Sequence, residues 1–250
     1  MFAHFLPNLV DPAELRDAAV VVLDVLRAST VVCHALRAGA REVIPCLEID
    51  DARAVAAALP GGTAVLGGER GGLRIEGFDL GNSPGEYTPE AVAGRTIVLT
   101  TTNGTRALQH ARQARQVWVA ALVNLGAVAR GLRRRAAELD VHLLCAGTRG
   151  QVTGEDVLAA GGLACRLLEE PSTWVPGNDQ LRIAMALWQS LGAKTAQPHA
   201  LAQYLRDHTQ GGRNVAALGL SADLAAAAAV DTLDVAPQLD MARWCITAAP

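Results

Sequence analysis

Ala19-Val20-Val21-Val22-Leu23-Asp24-Val25-Leu26-Arg27-Ala28-Ser29-Thr30-Val31-Val32-Cys33-His34-Ala35-Leu36 sets the fold class. Its first five residues are an unbroken Val-rich run, the pattern of a strand covered on both faces in a parallel sheet. Further on, Val31, Val32, Ala35 and Leu36 recur at helical spacing, and Ser29-Thr30 stand where a helix N-cap belongs. Between the two lie Asp24 and Arg27, charges at the end of an apolar strand. Strand, polar turn and helix in that order make one βα unit.

The unit recurs. Apolar runs at 42–46, 64–67, 96–100, 117–120 and 141–145 read as strands, and helical patterns at 52–59, 105–112, 125–137 and 155–168 alternate with them. That alternation predicts an α/β fold: a layered α/β/α sandwich on a largely parallel or mixed sheet. After Pro171 the pattern turns helical, at 179–191, 201–208 and 222–230, the last opened by Ser221 as a cap. This C-terminal segment is expected to pack on the same sheet. The chain then forms one α/β domain over 1–250, or two lobes with a boundary near 170.

Composition narrows the function. Half of the 250 residues are hydrophobic but only 4% are aromatic, which suits tightly packed helices rather than a stacking surface for bases. The formal net charge is -3, and Arg133-Arg134-Arg135 reads as a solvated helix face, so no nucleic-acid partner is expected. Cys33, Cys46, Cys145, Cys165 and Cys245 have no CxxC or Cys/His spacing and read as thiols of a reducing cytoplasm. The opening residues lack a basic start and a long apolar core, and no run is long enough to span a bilayer. A cytoplasmic location with no membrane partner is the expectation, and a homodimer the default assembly.

The loops after the strands carry the chemistry. They hold Asp24, Arg27 and Ser29; Glu69 and Arg70; Asp79, Asn82 and Ser83; Thr101, Thr102, Asn103, Gly104 and Thr105; Gly147 and Arg149; and Glu155 and Asp156. In a parallel sheet such loops emerge at the carboxyl edge, where open α/β folds bind ligands. Glycines admit close backbone approach, hydroxyls and amides donate from helix starts, and arginines clamp oxyanions. A helix terminus offers only about half a charge, against about -1.5 to -2 for a phosphate. Arginines and a metal must supply the rest. Asp24, Glu69, Asp79 and Glu155 are hard oxygen donors with no Cys/His cluster beside them, which favours Mg²⁺ over Zn²⁺.

Each feature also has a structural reading. Asp24 could be paired with Arg27, Glu69-Arg70 could be a solvated loop tip, and Thr101–Thr105 could be a capped turn. Asn82-Ser83-Pro84 is ordinary turn chemistry, and Glu155-Asp156 suit a helix dipole. There is no GxSxG elbow and no strand-linked GxGxxG, which argues against a serine hydrolase and a dinucleotide enzyme.

Taken in order, Asp24-Val-Leu-Arg-Ala-Ser-Thr30, Gly68-Glu-Arg70, Gly77-Phe-Asp-Leu-Gly-Asn-Ser-Pro84, Thr101-Thr-Asn-Gly-Thr105, Cys145-Ala-Gly147 and Glu155-Asp156 resemble the 2-phosphosulfolactate phosphatase family. Gly219-Leu220 and Asp223 resemble its C-terminal part. The resemblance implies Mg²⁺-dependent hydrolysis of (2R)-O-phospho-3-sulfolactate to (2R)-3-sulfolactate and phosphate, in the pathway to coenzyme M. That substrate is a small phosphorylated anion of charge near -4.

On this reading Asp24, with Glu69 or Asp79, holds the metal, and residues 101–105 cradle the phosphoryl oxygens. Arg27 and Arg70 clamp phosphate or sulfonate and Arg149 takes the carboxylate. Glu155 or Asp156 orients water. A covalent route through Asp24 is the lesser alternative, since no second aspartate stands two positions later. Two other functions stay open: a phosphatase of another phosphorylated hydroxy acid, and a non-catalytic binder of a phosphorylated metabolite.

Overall fold

The computed structural model describes residues 1–169 and 172–249, the side chain of Lys194 apart. The boundary expected near 170 falls on Glu170 and Pro171, outside the described residues. In chain order the elements are β1 (Phe2–His4), β2 (Ala19–Leu23), α1 (Ala28–Arg37), β3 (Glu42–Cys46), α2 (Ile49–Ala58), β4 (Ala64–Arg70) and β5 (Leu73–Arg74). Next come α3 (Pro89–Val92), β6 (Thr96–Thr100), α4 (Gly104–His110), β7 (Gln116–Ala120), α5 (Leu125–Arg135), β8 (Val141–Cys145) and α6 (Gly154–Leu168). The chain continues through α7 (Asp179–Leu191), α8 (Pro198–His208), α9 (Gln210–Ala217), α10 (Ser221–Ala227), β9 (Pro237–Asp240) and β10 (Cys245–Ala248). Every expected strand is present, and β2, β6 and β8 are buried along their whole length, as their unbroken apolar runs require.

The sheet has ten strands in the order β1-β8-β2-β7-β9-β10-β3-β6-β4-β5. Strands β1, β8, β2 and β7 form one parallel block, and β3, β6 and β4 another. The C-terminal hairpin β9-β10 joins them through antiparallel pairings on both sides. Three antiparallel steps in succession mean that the two blocks run in opposite senses along the ladder. Strand-to-strand twist of about 20–25° accumulates over the five steps from β2 to β6 to more than a right angle. The twist turns the two inner faces toward each other. Val20, Val22, Val117 and Val119 of one block and Val43, Ile97 and Leu99 of the other share a core around α1 and α4. Helices α5, α6, α7 and α8 cover the outer face of the first block, and α2 that of the second.

Gly68 is needed where β4 passes β6: its φ is +148°, and a Cβ there would stand 2.1 Å from the carbonyl oxygen of Thr100. No helix is long and apolar enough to cross a membrane among the described residues. Cys33, Cys46, Cys145 and Cys245 are buried free thiols, and Cys165 is partly exposed.

Two expected caps are absent. Helix α1 starts at Ala28, and Ser29 Oγ accepts the Asp24 N–H (2.9 Å) instead of capping the helix. Asp24 Oδ1 accepts the Ala28 N–H (3.2 Å), so the aspartate serves the helix start. Likewise Ser221 lies inside α10 and makes no cap bond.

Candidate active site

The turn after β2 is tied down by its own side chains. Thr30 Oγ1 donates to the Val25 carbonyl (2.7 Å), and Asp24 is held through its N–H and Oδ1. Asp24 Oδ2 makes no hydrogen bond to the described residues; it lies 2.8 Å from where a Cβ would stand on Gly104. The ends of β2 and β6, from opposite blocks, therefore meet at Asp24. Beside it opens a crevice of about 310 Å³, whose lining includes Asp24, Arg27, Glu69, Asn82, Thr101, Thr102, Asn103 and Arg149. That volume lies at the small end of ligand pockets and suits a metabolite of a few carbons.

Each Glu69 oxygen accepts one backbone N–H, Oε1 from Thr102 (2.8 Å) and Oε2 from Gly72 (2.7 Å), and each keeps a second lone pair. The carboxylate thereby locks the loop after β6 to the β4-β5 turn. Asn103 Oδ1 accepts the Arg149 N–H (3.2 Å), which holds Arg149 in a left-handed conformation (φ +53°) at the rim. Among the described residues the Arg149 side chain has no ion-pair partner. Three buried polar atoms lack any hydrogen-bond partner among the described residues: Asn82 Oδ1, Thr102 Oγ1 and Glu155 Oε2. Asn82 and Thr102 line the crevice, and Glu155 lies directly behind its wall at Gly211. Unpaired buried polar atoms are costly, and their collection at one place marks a site completed by something else.

The electrostatics agree. Burial, with Glu69 and Glu155 adding to it, pushes the Asp24 carboxyl up to about 7. Burial also raises Glu155, and it raises Asp156 well above the usual range with help from Glu155 and Asp24.

Several predicted site residues stand elsewhere. Asp79 is exposed and accepts the Leu66 N–H (2.8 Å), so its bond lies within the body of β4. Arg70 donates to the Glu69 and Leu47 carbonyls and to Thr100 Oγ1, and it borders a separate hollow with Glu48, Arg53 and Arg74. Asp156 spends Oδ1 on the Val25 N–H and Oδ2 on the Gly147 N–H and Thr153 hydroxyl, and it is not part of the crevice lining. It joins the β2 and β8 loops, and Gly147 belongs to that joint. Ser29 and Thr105 are turned inward; Thr105 Oγ1 donates to the Thr101 carbonyl (2.7 Å). Gly104 is a contact point, since a Cβ would meet Ala28 Cβ at 2.7 Å. Ser83 touches Arg27 and Asp223 rather than open space.

The roof of the crevice was not legible in the sequence. Helix α9 contributes Gly211, Asn214, Val215 and Ala217, and Leu218 comes next. The available signal was Gly211-Gly212: a Cβ on Gly211 would stand 1.8 Å from Glu155 Oε1, and one on Gly212 1.9 Å from the Leu205 carbonyl oxygen.

Residues 4–241 match the family described as 2-phosphosulpholactate phosphatase. The chain belongs to this family. It is 42% identical over 227 residues, 90% of each chain, to a protein of Synechococcus sp. (strain CC9605) named "Probable 2-phosphosulfolactate phosphatase". Proteins with the same name from Synechococcus sp. (strain RCC307) and Symbiobacterium thermophilum are 43% and 40% identical, each covering 92% of this chain and 92% and 94% of their own. The convergent loops are thus the crevice of a member of a phosphatase family.

The donor set can be tested against Mg²⁺. Among the described residues no three His, Cys, Asp or Glu side chains stand together as a cage. Mg²⁺ does not require one: it keeps several waters and is held through one or two carboxylates together with substrate phosphate. Asp24, with a free oxygen, and Glu69 beside it are hard donors facing the crevice, so the residues fit the ion.

Proposed function

We propose that the chain is a Mg²⁺-dependent phosphatase that hydrolyses (2R)-O-phospho-3-sulfolactate to (2R)-3-sulfolactate and phosphate. The observation that carries the reading is the set of orphaned polar atoms near Asp24, two lining a crevice sized for a small metabolite and one behind its wall. Family membership supports the reaction and substrate, and a role in coenzyme M synthesis is part of the proposal.

Charge supports the metal. Two acids, Asp24 and Glu69, line the crevice with Arg27 and Arg149, and the Arg27 charge is already offset by Asp223. With Asp24 ionised, such a lining repels a polyanion unless a cation intervenes. Asp24 and Glu69 would hold the ion. Bound there, Mg²⁺ would offset the phosphate charge and act as a Lewis acid.

The chain's own groups do the rest. The Thr102 hydroxyl has capacity left to donate to the phosphoryl group, and Asn82 Oδ1 to accept from its water. Arg27 presents a guanidinium edge, and Arg149 at the rim meets the remote acidic groups of the substrate. Asp156 does not line the crevice, and of the two lining acids Asp24 is the one with an oxygen that makes no hydrogen bond to the described residues. Helix α9 forms one wall of the crevice.

The test is phosphate release from 2-phosphosulfolactate and a panel of phosphorylated hydroxy acids, each with Mg²⁺ and with EDTA. Rapid, Mg²⁺-dependent release from phosphosulfolactate is expected. Release from none of them overturns the phosphatase reading, and equal release in EDTA overturns the metal.

A further inference from the structure

We propose that Asp223 is a positioning residue that aims Arg27 at the phosphoryl group and sets how tightly Arg27 holds it. The inference rests on the phosphatase reading of the crevice.

Arg27 and Asp223 are each about 5% exposed and come from opposite ends of the chain. Arg27 Nη1 donates to Asp223 Oδ2 (2.8 Å), and the Ser83 hydroxyl donates to the same oxygen (2.8 Å). Nη1 also reaches Ser83 Oγ (3.2 Å), and Nη2 donates to the Gly72 carbonyl (2.7 Å). Gly72 itself is held by Glu69, so the guanidinium plane is fixed from two sides. Arg27 nevertheless lines the crevice. A guanidinium carries five N–H donors, and these contacts use one or two on each of its terminal nitrogens. The remaining donors have a set direction.

The carboxylate has a second effect. A full guanidinium charge against phosphate makes a strong, bidentate clamp. A buried carboxylate on the same group offsets that charge and weakens the hold on the phosphate product. Asp223 therefore acts on the ligand through Arg27 in two separable ways, by direction and by charge. Replacement by Asn keeps an acceptor oxygen and removes the charge. Replacement by Ala removes both.

The experiment measures binding of inorganic phosphate by titration calorimetry in Mg²⁺ buffer for wild type, Asp223→Asn and Asp223→Ala, with kcat and KM alongside. Thermal unfolding monitors the fold. Asp223→Asn is expected to bind phosphate several-fold more tightly than wild type. Asp223→Ala is expected to bind it at least several-fold more weakly and to lose kcat, with Asp223→Asn keeping more of kcat than Asp223→Ala. Phosphate affinity unchanged in both variants overturns the proposal, whatever happens to the unfolding temperature, because the pair would then be structural. Equal weakening in both overturns it too, since charge would then have no part. Failure of all three proteins to bind phosphate also overturns it. The phosphatase reading is judged separately, by wild-type turnover of the substrate panel.

Discussion

Asp24→Asn should make the protein more stable and inactive at once. Burial and the neighbouring acids move the Asp24 carboxyl from 3.8 to about 7. At about 1.4 kcal/mol per pH unit, keeping Asp24 ionised in the metal-free fold costs about 4 kcal/mol. The sign follows from the raised folded value. The neutral carboxyl's contribution is fully present below pH 3.8 and is lost as pH rises through about 7. Asparagine keeps the oxygen that accepts the Ala28 N–H and carries no charge. In EDTA the variant should match wild type below pH 4 and exceed it by up to about 4 kcal/mol at pH 8, about 10 °C in Tm for a chain of this length. The assay is urea unfolding from pH 4 to 8, followed by the same series in Mg²⁺, where wild type should recover most of the gap. A gap at pH 8 under about 1 kcal/mol, or one that does not grow with pH, would refute the account of Asp24 as a carboxylate held at a cost for its chemistry.

Mg²⁺ binding near pH 6.5 should release protons, because it requires Asp24 ionised; calorimetry in buffers of different ionisation enthalpy reads this as a heat that changes with the buffer. Thr102→Val removes an orphaned buried hydroxyl at nearly constant volume, so the free protein should gain up to about 1–3 kcal/mol while kcat/KM falls tenfold or more. Gly211→Ala puts a Cβ 1.8 Å from Glu155 Oε1 and should lose about 1–3 kcal/mol together with activity, as α9 is pushed off the crevice. Arg70→Met should lower stability by about 1–3 kcal/mol with KM unchanged, since Arg70 ties strand ends together outside the crevice; a raised KM would return Arg70 to the site.

The βα units were legible in the amino-acid order, because local signals suffice there. The run Ala19–Leu23 is short and rich in β-branched Val, as a covered strand is, and the polar residues after it mark the loop where chemistry collects. Asp24, Glu69, Thr102 and Asn103 were readable on those grounds, and all four line the crevice. Three features depend instead on long-range packing. The hairpin Pro237–Ala248 has short strands without a long apolar run, and its place between the two blocks depends on pairing with β7 and β3. That hairpin reverses the second block, so the loops meet through accumulated twist rather than along one carboxyl edge. The roles of individual charges were the third. Adjacent residues with similar chemistry separate according to direction: Glu69 faces the crevice while Arg70 turns to Leu47 and Thr100, and Glu155 keeps an orphaned oxygen while Asp156 spends both of its own. Sequence records which groups are present at a loop. Which of their hydrogen bonds are already spent is settled by distances of about 3 Å between segments far apart in the chain, as in Arg27 and Asp223.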